Sequence, residues 1–206
     1  GVVVLKRLAD AVAAGDPVVG VIRGGAVAHD GRAGGLTVPN GLAQQRVLEK
    51  ALADAGIARE RVSYVEAHGT GTHLGDPIEL NALQAVYGRT PRDTPLLLGS
   101  VKTNIGHAEA AAGIAGLIKV LLAMRHETLP PHLHYRRANP NFDWTRGALE
   151  VVGQRRGWHA AAPLVAGVSS FGLSGTNAHL LVEQYVAPVT LPDMPAGFVP
   201  HRPVRP

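Results

Sequence analysis

Short apolar runs that break into glycine-rich turns recur along this chain, and helical periodicity fills the stretches between them. Residues 2–5 and 18–22 are β-branched runs that read as strands. A short helix over 9–14 lies between them and stops at Gly15, Asp16 and Pro17. Residues 23–39 are glycine-rich and polar, a loop with turn signals at Asp30-Gly31 and Gly34-Gly35. Pro39-Asn40-Gly41 opens a helix over 42–55, with Val47, Leu48, Ala51 and Leu52 on one face and Gly56 as its stop. Strand 62–65 then leads to His68. The next helix has Asp76 as cap, Pro77 at its first position and Glu79 at its third, and runs to Tyr87 before Gly88. Strand 96–100 leads to His107 and a long helix reaching about His126, which Thr128-Leu129-Pro130-Pro131 ends. An irregular crossing through Pro140 and Trp144 precedes a short strand over 149–152. Residues 164–170 and 178–186 make a hairpin with residues 171–177 as its shaped tip. From Ala187 onward six prolines imply an extended linker or surface-wrapping tail.

Two stretches repeat one plan. VSYVEAHGTGTHLGD begins at Val62 and GSVKTNIGHAEAAAG at Gly99. Each is a buried strand, then a glycine-rich turn carrying one histidine, then a helix. In α/β folds, chemistry gathers outside the carboxyl ends of the strands, so His68 and His107 are expected to meet over one site.

Composition narrows the class. With 206 residues, 46% of them hydrophobic and 17% charged, the chain can bury one substantial core. The net charge of +4 comes with scattered arginines and no basic run interleaved with aromatics, which speaks against nucleic-acid binding. An ordinary basic face explains it, and such a face also suits an acidic protein partner. Absence of cysteine excludes a disulfide framework, a thiolate metal site and a cysteine nucleophile on this chain. The most apolar segment, 108–124, contains Glu109, Lys119, Gly113 and Gly116, so it reads as a buried helix and not a membrane span. No leader pattern opens the chain, and a soluble cytoplasmic protein is expected. A start inside an apparent strand suggests a piece of something longer.

The residues around the histidines carry the chemistry. Gly69 and Gly71 let backbone approach a ligand closely, and Thr70 and Thr72 offer hydroxyls to one elongated polar ligand. His107, at a helix start, faces a backbone dipole that disfavours positive charge, which suits a neutral hydrogen-bond donor to a developing oxyanion. Lys102 and Glu109 flank it and are read as a buried pair shaping that loop or tuning proton transfer. A zinc site from His68, His73, Asp76 and His107 is the metal alternative, though HxxxxH in a glycine-rich loop lacks the helical face of HExxH. Gly69, Gly71 and Gly75 give only a weak phosphate-loop signal, because no Lys-Ser/Thr follows. His132, His134 and His201 read as exposed.

Taken together, EAHGTGT (from Glu66), GDPIE (from Gly75), KTNIGHAEAAAG (from Lys102) and GVSSFGLSGTNAH (from Gly167) resemble the β-ketoacyl synthase family, and within it the ketosynthase domain of modular type I polyketide synthases. The resemblance covers the chain to about Glu183 and implies a thiolase-like α/β fold of layered αβαβα type. This chain would be its C-terminal half plus part of the N-terminal half, with residues 1–186 as ketosynthase and 187–206 as the linker after it. It implies decarboxylative Claisen condensation between an acyl thioester and a malonyl-type extender on acyl carrier protein. His68 and His107 would be the histidines that hydrogen-bond the extender carbonyl as it becomes an enolate. Lys102, Glu109 and Asn104 would support them. Thr70 and Thr72 would hold the carrier's phosphopantetheine arm, with no cofactor bound by the chain itself. Phe171, Gly172 and Leu173 would form the tip loop of an oxyanion hole. The family's nucleophilic cysteine is missing, so the expected partners are the carrier protein, a cysteine-bearing N-terminal portion and a second copy of the complete domain. Alone, the chain is expected to be inactive. The alternative is a non-catalytic ketosynthase-like chain for dimerisation or carrier docking.

Overall fold

A computed structural model of the chain describes residues 1–31, 35 and 38–187. In chain order the elements are α1 (Leu8–Ala13), β1 (Gly20–His29), α2 (Gly41–Ala55), β2 (Tyr64–Glu66), α3 (Gly75–Tyr87), β3 (Leu96–Gly99), α4 (Lys102–Ile105), α5 (Ala112–Arg125), β4 (Thr128–Leu129), β5 (Leu149–Val151), β6 (Arg156–Gly157), β7 (Val165–Phe171) and β8 (Thr176–Gln184). The expected tail beyond residue 187, the glycine at 34 and His201 lie outside the described residues.

Six strands form one sheet in the order β1-β8-β7-β2-β3-β5. Strands β7, β2, β3 and β5 are parallel neighbours, whereas β1-β8 and β8-β7 are antiparallel. Helices cover both faces, because a sheet with two apolar faces must bury both. Alternation along the strands deals the side chains to two cores. Val65, Leu98, Val165 and Leu181 point toward α2 and α3, where Leu48, Leu52, Leu83 and Tyr87 pack. Tyr64, Ala166, Val168 and Val182 point the other way, toward Leu117, Val120 and Met124 of α5.

Helix α2 forms as its sequence dictates. The Asn40 side chain accepts the free N–H groups of Leu42 and Ala43, and Gly56 ends the helix in the left-handed conformation at φ 61°. The hairpin β7-β8 and the stop of α3 at Gly88 also follow the pattern.

Two expectations fail. Residues 2–5 form no strand: among the described residues they have no ladder partner, and Val2, Val4 and Leu5 are exposed. Conversely, the strand expected to stop at residue 22 runs on to His29 through the supposed loop. The glycines there serve packing and not turning. A Cβ at Gly24 would sit 2.6 Å from the backbone nitrogen of Ala55, so glycine lets the end of α2 lie directly on the strand.

Candidate active site

Strands β3, β2 and β7 lie side by side and parallel, so the loops that follow them leave from the same edge of the sheet. Those loops carry His68, the segment from Lys102 to His107, and the tip from Phe171. The rings of His68 and His107 stand 5.5 Å apart in an edge-to-face arrangement, and the Phe171 ring lies 5.3 Å from His68. The two histidines therefore do meet.

The loop at His68 is built around a carboxylate. Glu79, buried at the fifth residue of α3, accepts the backbone N–H groups of His68 at 2.8 Å and Gly69 at 2.9 Å. Asp76 likewise accepts from Gly71 N–H at 3.0 Å. The helix itself has no side-chain cap. The capping pattern read from Asp76 and Glu79 is thus corrected: both carboxylates turn back to the preceding loop, whose glycines at φ 47° and 76° expose its N–H groups. Burial pushes the Glu79 carboxyl up to about 7, against the pull of its two N–H donors.

Thr72 Oγ1 accepts from Gly75 N–H at 3.0 Å. A Cβ at Gly75 would meet Thr72 Oγ1 at 2.5 Å and Thr70 Oγ1 at 4.0 Å, so the two hydroxyls sit near one another beside the histidine loop.

The second loop differs from its expected form. Helix α4 is a single turn closed by Gly106 at φ 74°, and a 3-10 turn at Glu109–Ala111 separates His107 from α5. His107 is therefore not in the first turn of a long helix, and the dipole argument for it lapses. Its Nδ1 accepts the backbone N–H of Glu109 at 2.9 Å instead. Glu109 is exposed, and no Lys102–Glu109 ion pair forms among the described residues. Its φ of 47° shows the chain turning sharply just beyond His107. Lys102 is half-buried and Asn104 exposed. Burial lowers the Lys102 pKa, with Glu66 and Glu79 opposing.

His68 Nδ1 accepts the backbone N–H of Phe171 at 3.3 Å. Both imidazoles thus receive a backbone donor on Nδ1, which in the neutral ring leaves the proton on Nε2. Burial first, then the charges of Lys102 and His107, push the His68 pKa down to about 4.

The tip loop is rigidly tied. Gly172 N–H donates to Thr176 O at 2.7 Å, and Gly175, at φ 89°, donates to Gly172 O at 2.9 Å. Asn177 donates to Asp30 Oδ1 at 2.7 Å, so the end of β1 clasps the hairpin. Leu173 is exposed at the apex, and among the described residues its N–H meets no acceptor.

His73 and Asp76 do not join the two histidines: no group of three metal-ligating side chains gathers among the described residues. His132, read as exposed, is half-buried, and burial lowers its pKa. Sequence reasoning also missed an ion pair of Glu66 with Lys119, at 2.7 Å, joined by Tyr64. Glu66 stands two residues before His68, but nothing in the pattern of α5 marks Lys119 as its partner.

A family model described as β-ketoacyl synthase, C-terminal domain, matches residues 19–136. The chain belongs to the β-ketoacyl synthase family. It is 55% identical to the spectinabilin polyketide synthase system protein NorB of Streptomyces orinoci over 96% of its own length and 9% of that protein's. It is also 55% identical to the erythronolide synthase EryA3 of Saccharopolyspora erythraea, covering 89% of this chain and 6% of that one. The solved ketosynthase of module 6 of the bacillaene synthase from Bacillus subtilis superposes with a TM-score of 0.86 at 44% identity, over 89% of this chain and 33% of that one. The chain therefore has a thiolase-like α/β fold and spans a small part of the length of its curated relatives. Among the described residues, no helix is long and apolar enough to cross a membrane.

Proposed function

We propose that this chain supplies the extender side of a polyketide ketosynthase site. Its substrate is a malonyl-type thioester carried on acyl carrier protein. The growing acyl group waits on a cysteine from a separate N-terminal portion. The observation that carries this reading is the shared hydrogen-bonding of His68 and His107. Each accepts a backbone N–H on Nδ1, and the rings stand 5.5 Å apart. Two Nε2–H donors can then converge on one thioester oxygen.

The C–C bond to the extender carboxylate breaks, carbon dioxide leaves, and the electron pair moves into the thioester carbonyl to give an enolate. The two imidazoles stabilise the negative charge on its oxygen. The enolate carbon attacks the waiting acyl thioester, and the cysteine thiolate departs. The oxyanion of that second step falls to the tip loop, where Leu173 N–H is available and Phe171 and Gly172 fix its place. A neutral His68, with its pKa near 4, keeps its Nδ1 available to Phe171 through the physiological range. Thr70 and Thr72 hold the phosphopantetheine arm, and Lys102 and Asn104 line the second histidine's loop. Residues 1–186 form the ketosynthase portion, residues 187–206 the following linker, and the complete domain is a cytoplasmic homodimer.

The test joins the chain to a cysteine-bearing portion and follows release of carbon dioxide from a malonyl-carrier thioester. His68→Ala and His107→Ala are each expected to lower the rate about 10²–10³-fold. Wild-type rates in both variants overturn the assignment. Carrier binding without turnover under every complementation favours a docking chain instead.

A further inference from the structure

Two buried side chains, Tyr64 and Glu66, and the partly buried Lys119 take no part in that scheme. Glu66 is the last residue of β2 and is 2% exposed. Its Oε2 accepts from Tyr64 Oη at 2.7 Å and from Lys119 Nζ at 2.7 Å, and Lys119 also donates to Tyr64 Oη at 2.8 Å. Its Oε1 accepts the backbone N–H of Val101.

Two glycines make room for this group. A Cβ at Gly116 would lie 3.0 Å from Glu66 Cγ, and one at Gly99 would lie 2.5 Å from Tyr64 Oη and 3.2 Å from Lys119 Nζ. Five positions on β2, β3 and α5 are thus fitted to one buried ion pair. A buried pair is a poor source of stability, since apolar residues of similar size usually serve as well. Its local effect is more specific. The β2-β3 ladder ends at Glu66 opposite Gly99, with one last bond from Ala67 N–H to Gly99 O. Val101 lies beyond that ladder, and Glu66 takes the N–H that the strand no longer serves. Val101 opens the segment that carries Lys102 and His107, while the backbone of Glu66 leads directly to His68.

We infer that Glu66 is a positioning residue for both histidines: one carboxylate oxygen anchors the departure of the His107 segment at Val101, and the other is fixed by Lys119 and Tyr64. The inference rests on reading His68 and His107 as the extender-side donors.

Two variants of the complemented ketosynthase separate positioning from stability. Y64F/E66L/K119M replaces the whole group by apolar residues and deletes the acceptor for Val101. E66Q/K119M removes the charges but keeps a carbonyl oxygen for Val101 and an amide donor for Tyr64. Three quantities are read in each: thermal midpoint, acylation of the cysteine by intact mass, and kcat and KM for decarboxylation. The apolar variant is expected to acylate normally while decarboxylation kcat falls about 10²-fold at little-changed KM. E66Q/K119M is expected to return within about threefold of wild type. A folded apolar variant that decarboxylates at the wild-type rate overturns the inference. So does an E66Q/K119M protein as impaired as the apolar one, because charge and not the Val101 bond would then matter. Should the apolar variant fail to fold, Val101→Pro deletes the same bond from the donor side, at a φ of −61° that proline adopts. It is expected to lose decarboxylation equally, and a wild-type rate in it overturns the inference. Wild-type rates in H68A and H107A, by contrast, overturn the reading of the histidines, and the role of Glu66 with it.

Discussion

Replacing Lys102 by methionine tests the electrostatics of the site without changing its volume much. His68 is held down from 6.5 to about 4, a difference of 6.5 − 4 = 2.5, by three causes: burial first, Lys102 second, His107 third. The second of three ranked contributions is less than half the whole. Removing it should therefore raise the His68 midpoint by less than half of that difference, leaving it below the ordinary value because burial persists. The sign is fixed by chemistry. A cation beside an imidazole disfavours its protonation, so deleting the cation makes protonation easier. A protonated His68 carries a proton on Nδ1, which can no longer accept from Phe171 N–H. The acid limb of decarboxylation should rise with the midpoint. Nitrogen-15 resonances of the His68 ring, titrated from pH 3 to pH 8, give the midpoint directly, and the pH profile of carbon dioxide release gives its functional counterpart. A midpoint that stays or moves down in Lys102→Met refutes the argument, whatever happens to the rate.

Three further predictions concern the fold that carries the site. His179 is fully buried between Tyr87 Oη and Ser169 Oγ, each at 2.9 Å, and burial pushes its pKa down to about 3. Its neutral form is the folded one, so its contribution is complete above the unfolded value of 6.5 and is lost as pH falls toward 3. Urea unfolding at pH 5 should show about 2 kcal/mol less stability from this group than at pH 7, a difference absent in His179→Gln. Tyr87→Phe strands the buried ring nitrogen and should cost about 1–3 kcal/mol at pH 7; an unchanged urea midpoint would count against the network. Gly99→Ala drives a methyl against Tyr64 Oη and should cost about 1–3 kcal/mol, part of it recovered in Tyr64→Phe/Gly99→Ala, and no recovery would mean the strain lies elsewhere.

What could be read from residue order was whatever local physics decides. The period of Val47, Leu48, Ala51 and Leu52, bracketed by Asn40 and Gly56, specifies α2 without reference to the rest of the molecule. The two strand-turn-histidine units brought His68 and His107 together because parallel strands end on one edge. Reading failed where a residue's role depends on what packs on it. Gly24 looks like a loop residue until α2 is laid over it. Asp76 and Glu79 satisfy a capping pattern in sequence, yet loop N–H groups compete for their oxygens and win. Lys102 and Glu109 are close in sequence but Gly106 and the turn after His107 part them. Glu66 and Lys119 are far apart in sequence and meet through the sheet's far face.

The clasp between β1 and β8 also bears on recombining ketosynthases. Nine register pairs, from Gly20 opposite Gln184 to His29 opposite Thr176, tie the two strands, and Asp30 bonds Asn177 just past the last pair. Any single crossover between residues 31 and 164 therefore joins one parent's β1 to the other parent's β8. Chimeras should instead inherit residues 20–31 and 165–184 from one parent as a linked block.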